Sequence, residues 1–167
     1  MTTNTVSLRR ARPADAAGLS AVFDAAWREA YQGIIPGVAL ERFLARRGPE
    51  TWRGMIGGRG LVVVAFGEQV AGYAAYGRAR DGSLRADGEI TELYIAPEFQ
   101  GLGLGTRLFR AVRNDLIDRG LTRIGVWALA DNPRACRFYA CLGGVAGPEA
   151  VEQLSGIGLP KIGYLFA

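Results

Sequence analysis

The chain of 167 residues contains no histidine. That absence removes Ser-His-Asp and Cys-His nucleophile chemistry and nearly every catalytic zinc site, so proton transfer falls to Glu, Asp, Tyr, Cys, water or a substrate. Lysine is almost as scarce: Lys161 is the only one, and every other basic side chain is an arginine. With a net charge of +4 and no lysine-rich tail, the chain lacks the dense basic face that a nucleic-acid duplex requires, and no nucleic-acid partner is expected. A polyphosphate ligand suits that charge balance better. The two cysteines, Cys136 and Cys141, stand at a spacing that points them to different faces of a helix, which fits neither a disulfide nor a metal knuckle. Both are expected to be reduced core thiols, with no metal. No apolar run approaches the ~20 residues needed to span a membrane, and the opening Met-Thr-Thr-Asn-Thr lacks the regions of a signal peptide. The expectation is a cytoplasmic protein without a membrane partner, folded as one domain over residues 1–167, since 49% hydrophobic content supports one core.

What is present is strong periodicity. Residues 6–10 alternate apolar and charged side chains and read as an edge strand. Pro13 then opens a helical turn, and Leu19, Val22, Phe23, Ala26, Trp27 and Ala30 recur at three and four, predicting an amphipathic helix to about Tyr31. Gln-Gly-Ile-Ile-Pro breaks it, and residues 38–46 offer a short second helix, with Gly57, Gly58 and Gly60 ending that region. Residues 61–66 and 70–78 read as a hairpin across Gly67-Glu68-Gln69. Residues 89–96 form the next strand, which Pro97 ends by restricting Ala96. Leu104, Leu108, Val112 and Leu116 mark a helix closing before Gly120. Residues 124–129 are a strand, Asp131 or Asn132 caps a helix with Pro133 at its first position, and residues 162–166 make a final strand. The class is a mixed sheet covered by helices, with residues 145–160 read as looser chain.

Residues 93–106 are the most informative segment: a buried strand feeds a glycine loop that opens a helix. Gly101, Gly103 and Gly105 can adopt backbone angles other residues avoid, so successive N–H groups can converge on an anion, aided by the helix N-terminus. A dinucleotide fingerprint fails here, because its third glycine is Thr106 and Arg123 stands where an acidic ribose ligand belongs. A nucleotide-triphosphate loop fails too, because Gly105 is followed by Thr106-Arg107 with no lysine. What the segment resembles is the acetyl-CoA site of the GCN5-related N-acetyltransferases, whose Gln/Arg-x-x-Gly-x-Gly/Ala signature is met by Gln100-Gly101-Leu102-Gly103-Leu104-Gly105. Asn132, Ala135, Phe138 and Tyr139, followed by Leu142-Gly143, are similar to that family's second cofactor segment.

The resemblance implies an α+β fold with a mostly antiparallel central sheet of six to seven strands flanked by helices. It implies acetyl-CoA as cosubstrate and direct transfer to a primary amine of a small molecule or of a peptide or protein N-terminus, and it allows a homodimer. A non-catalytic acyl-CoA sensor and transfer of a longer acyl chain are the alternatives. It implies that Gln100, Gly101, Leu102, Gly103, Leu104, Gly105 and Thr106 hold the pyrophosphate, that backbone N–H groups of Leu93, Tyr94 and Ile95 face the thioester, and that Asn132, Ala135 and Phe138 meet the pantetheine side. Tyr139 resembles the acid that protonates the departing thiolate. Glu89 and Glu92 are both candidates for the base, and an odd spacing on a strand sends them to opposite faces. Trp27, Tyr31 and Tyr73 are expected in the acceptor wall, which Tyr76 and Trp127 would extend.

Overall fold

The computed structural model describes residues 5–57 and 60–167. Gly58, expected to help end the second helical region, and Met1 to Asn4, at the start of the opening segment, lie outside the described residues. A seven-stranded sheet runs in the order β1-β2-β3-β4-β5-β7-β6, where β1 is Val6–Arg10, β2 Gly60–Phe66, β3 Gln69–Arg78, β4 Gly88–Ile95, β5 Ile124–Leu129, β6 Val145–Leu154 and β7 Ile157–Phe166. β4 and β5 pair in parallel; the β1–β2, β2–β3, β5–β7 and β6–β7 ladders are antiparallel. The helices are α1 (Ala16–Tyr31), α2 (Gly37–Ala45), α3 (Pro49–Met55), α4 (Leu104–Asp118) and α5 (Pro133–Cys141), with single 3-10 turns at Pro13–Asp15 and Pro97–Phe99. Two compact units partition the chain: Met1–Tyr76 with Glu92–Val112, and Gly77–Thr91 with Arg113–Ala167.

In the first unit α1 buries Leu19, Val22, Phe23 and Ala26, the stripe expected from their spacing. β2 and β3 are apolar on nearly every residue, as strands covered on both faces must be. Their register shifts between Val64 and Ala65, leaving Ala71 as an extra residue on β3. Such a bulge frees a backbone group to bond elsewhere, and here the Ala71 carbonyl accepts the Ala96 N–H at 2.8 Å, pinning the end of β4 just before Pro97. Gly72 is required for the same reason: a Cβ there would lie 2.7 Å from the Tyr94 carbonyl oxygen.

In the second unit β6 and β7 form a hairpin turning at Ser155-Gly156, both with positive φ. This corrects the reading of residues 145–160 as looser chain. The half-buried side of β6 carries Pro148, Ala150, Glu152 and Leu154, too mixed a set to show an apolar alternation. A second correction is α3, which buries only Trp52 fully and is too short to display a stripe. A third concerns the cysteines: both are free, but Cys141 is exposed and Cys136 half-buried, so neither is a fully buried core thiol. Among the described residues, no helix is long and apolar enough to cross a membrane.

Candidate active site

The glycine loop of the first unit is built by local rules. Ala96 is extended before Pro97 (ψ 141°), Pro97–Phe99 makes one tight turn, and Gln100 is extended again. The Gln100 side chain then folds back, its Nε2 donating to the Ile95 carbonyl at 2.9 Å and to Glu29 at 3.0 Å. Gly101 (φ +77°) and Gly103 (φ +75°) take the left-handed conformation that disfavours a side chain. A Cβ at either would meet nothing within 4 Å, so backbone angle rather than crowding selects glycine in the free protein. The Gly103 carbonyl accepts the Arg107 N–H at 3.1 Å, which makes Gly103 the cap of α4. Gly105, expected to share the unusual angles, lies inside α4, where the helix fixes its backbone. Leu104 is buried, Gly105 and Thr106 half-buried, and Leu102 exposed. The first N–H groups of α4 have no partners within the helix and carry the positive end of its dipole.

Along β4 the parallel ladder with β5 pairs Gly88, Glu89 and Ile90 with Ile124, Gly125 and Val126, and β4 continues through Leu93, Tyr94 and Ile95. The two candidate glutamates do occupy different environments. Glu89, in the second unit, is 2% exposed and is held by Arg80 through the backbone N–H at 3.1 Å and Nη2 at 2.6 Å. That pairing holds the Arg80 guanidinium above its ordinary range, the Glu89 hydrogen bond outweighing partial burial. Glu92, in the first unit, receives both guanidinium arms of Arg47, Nη1 to Oε1 at 3.0 Å and Nη2 to Oε2 at 3.2 Å. The Tyr73 hydroxyl adds a longer bond at 3.4 Å.

Around that pair stands an aromatic cluster. Arg47 lies over the rings of Phe23 at 4.3 Å and Trp52 at 4.5 Å, a stacking that a planar guanidinium favours. Trp27 packs on Tyr31 at 4.3 Å and Phe43 at 4.4 Å, and Tyr73 meets Trp52 at 4.9 Å and Tyr94 at 5.8 Å. Tyr31 and Tyr73 are buried and Trp27 half-buried. Burial, then the Glu92 carboxylate, push the Tyr73 hydroxyl well above its ordinary pKa. Tyr76 is buried as well, whereas Trp127, in the second unit, is covered by Lys161 at 4.6 Å, itself paired with Glu152.

The second motif belongs to the second unit. Asn132, not Asp131, caps α5, its Oδ1 accepting the Ala135 N–H at 3.1 Å, with Pro133 at the first helical position. Ala135 and Phe138 are half-buried and Tyr139 is buried. The helix closes on Gly143 (φ +95°), with the Gly144 N–H returning to the Tyr139 carbonyl at 2.9 Å, a Schellman closure that fixes the backbone of Tyr139. Behind its ring lies Tyr164 at 6.1 Å. A hydrogen bond with Cys136, then burial, push the Tyr164 hydroxyl up to about 12.

Sequence reasoning missed Arg47 and Arg80. Arg80 carried a signal, an opposite charge across a short turn from Glu89 on the following strand; Arg47 carried none, because its partner is distant in sequence.

The first unit thus holds a strand running into a glycine loop that caps α4, and the second a capped helix bearing a buried tyrosine; comparison with known proteins identifies the family. The model of the acetyltransferase (GNAT) family matches residues 20–143, and the chain belongs to that family of N-acetyltransferases. It is 28% identical over 162 residues to YuaI, an uncharacterised N-acetyltransferase of Bacillus subtilis (strain 168), covering 95% of this chain and 91% of that one. A GCN5-related N-acetyltransferase of Rhodopseudomonas palustris superposes with a TM-score of 0.78 at 22% identity, covering 100% of this chain and 98% of the other. The PaiA N-acetyltransferase of Thermoplasma acidophilum, solved in complex with coenzyme A, superposes with a TM-score of 0.74 at 16% identity over 95% of this chain and 98% of the other.

Proposed function

We propose that the protein transfers the acetyl group of acetyl-CoA directly to a primary amine. The observation that carries this reading is the glycine loop at the head of α4, with Gly101 and Gly103 in left-handed geometry and Gln100 tied back to the strand end. Residues Gln100 to Thr106 take the pyrophosphate in this reading, since backbone N–H groups and a helix N-terminus favour a dianionic ligand. Backbone N–H groups of Leu93, Tyr94 and Ile95 serve the thioester carbonyl, where one well-placed oxyanion donor is worth ~3 kcal/mol. Asn132, Ala135 and Phe138 serve the pantetheine arm. Coenzyme A in the Thermoplasma relative supports the same donor.

The reaction needs two protons removed from the ammonium. One leaves first, because an ammonium with a pKa near 10.4 cannot attack; Glu92, directly or through water, is the acceptor we assign. The freed nitrogen forms a C–N bond to the acetyl carbon, the C–S bond breaks, and the second proton reaches the thiolate through Tyr139. Both glutamates are paired with an arginine, and Glu89 is the weaker choice of base because its side chain is 3% exposed, against 15% for Glu92. No acyl-enzyme is needed: Cys136 turns its thiol to the Leu129 carbonyl.

Calorimetric titration with acetyl-CoA, followed by thiol release over a panel of amines and peptides, tests the reading. Saturable binding and amine-dependent release are expected; binding without release over the panel would make the protein a sensor instead.

A further inference from the structure

The acetyl-transfer reading leaves the acceptor open, and the environment of Arg47 and Glu92 narrows it to an acceptor class that rests on that reading. The pair joins a fixed cation to a fixed anion in a mostly buried setting, with side-chain exposures of 20% and 15%. Charges so placed must stay paired or be re-paired, because a stranded one is costly. The surrounding cluster also has a surplus of one kind of hydrogen-bonding group. Among the described residues, Trp27 Nε1, Arg47 Nε and Trp52 Nε1 are buried with no hydrogen-bond partner. All three are N–H donors, and all three belong to residues packed around Phe23, which contacts Trp27 at 5.3 Å, Trp52 at 6.0 Å and the Arg47 guanidinium at 4.3 Å. Buried donors without acceptors are unusual in a native fold and call for oxygen.

An amine with no other polar group brings more donors to a place already rich in them. If its ammonium takes Glu92, it displaces Arg47 and leaves that cation beside a second cation among aromatic rings. A zwitterion behaves differently. Its carboxylate offers planar acceptor oxygens that match the guanidinium fork, and its ammonium matches Glu92, so one internal ion pair opens into two and no charge is stranded. The half-buried rings of Trp27, Phe43 and Tyr94, which pack against Phe23, are the partly open apolar surface for a hydrophobic side chain.

We propose that the acceptor is a free amino acid with an apolar or aromatic side chain, its carboxylate received by Arg47 and its ammonium by Glu92. On this exchange Glu92 is released from Arg47 and becomes free to take the first proton from the ammonium. The surplus donors of Arg47 and the tryptophans then have carboxylate oxygens in their neighbourhood.

The experiment compares matched acceptors that differ only by the carboxylate: phenylalanine against phenethylamine, leucine against isoamylamine, with spermidine as a polycation. Thiol release at saturating acetyl-CoA is expected to favour the amino acid of a pair by roughly 100-fold in kcat/KM, the size of effect seen when a buried charge loses its partner. Arg47→Gln should bring that ratio towards one, and Arg47→Lys should restore part of it, because the charge returns without the fork. Amines or spermidine turned over as well as the amino acids would overturn the proposal while leaving acetyl transfer standing. A ratio unchanged in Arg47→Gln would also overturn it. If that variant does not fold, the wild-type ratio alone decides. Failure to bind acetyl-CoA, or binding with no release by any amine, overturns the transfer reading itself and this one with it.

Discussion

Glu89 and Glu92 share a strand and a charge, yet their partners separate their roles. Arg80, which holds Glu89, is itself 57% exposed, while the Glu89 side chain is 3% exposed, so that pair fastens the loop before β4 to a buried anion. Removing the anion leaves donors unpaired at a buried position, and Glu89→Gln is expected to cost about 1–3 kcal/mol of stability, read by urea unfolding, with a smaller fractional loss of turnover than Glu92→Gln. For Glu92→Gln the loss of turnover should be roughly 100-fold or more at saturating acetyl-CoA, the usual worth of a general base; turnover within a few-fold of wild type would remove Glu92 from the role. Tyr139 is tested the same way. Its backbone is fixed by the α5 closure and its ring is buried beside Tyr164, so Tyr139→Phe deletes one hydroxyl without repacking. Turnover should fall roughly 100-fold with acetyl-CoA affinity nearly intact; wild-type rates at saturating acceptor would mean that water protonates the thiolate.

Among the elements, those whose cause is local are legible in the sequence. α4 shows its buried Leu104, Leu108, Val112 and Leu116 at a regular spacing, and α5 shows Asn132 and Pro133 at its start, because caps and stripes are properties of neighbouring residues. The β3 bulge is not legible, since an extra residue changes no apolar pattern on a strand buried on both faces. Nor is Arg47, whose partner Glu92 comes from a different element. The loop before α4 is the element on which the donor assignment turns. Gly103 has a positive φ but open space around its Cβ position, so Gly103→Glu should cost the fold only the left-handed penalty of about 1–2 kcal/mol while placing an anion where the pyrophosphate belongs. Acetyl-CoA binding should fall below detection by calorimetry, with the cooperative melt preserved. Unchanged affinity would sink the pyrophosphate assignment.

Over the whole molecule, the two end strands of the sheet order differ in how far the sequence shows them. β1 is visible from its alternation, whereas β6 is not, because its outer face exposes Val145 and Val151 and its inner face mixes proline, alanine and glutamate. Global stability nevertheless depends on the β1 end through one charge. Asp15 is 5% exposed and accepts both arms of Arg9 at 2.7 and 2.9 Å and the Arg12 N–H at 2.7 Å, tying β1 to the turn that starts α1. The Arg9 bonds hold its carboxyl below the usual range against the opposing effect of burial, with the Arg12 N–H helping. A carboxyl whose pKa is depressed by folding adds stability at pH values above its unfolded pKa, about 3.9, and loses it as pH falls through the lower folded value. Asp15→Asn should therefore cost about 1–3 kcal/mol at pH 7, and the gap from wild type should narrow as pH falls from about 4, where the unfolded chain's carboxyl begins to take up its proton, to the lower folded value. Urea unfolding at a series of pH values measures that gap. A gap that stayed constant down to about pH 2, well below the unfolded pKa, would mean that packing around Asp15, and not its charge, holds β1 to the start of α1.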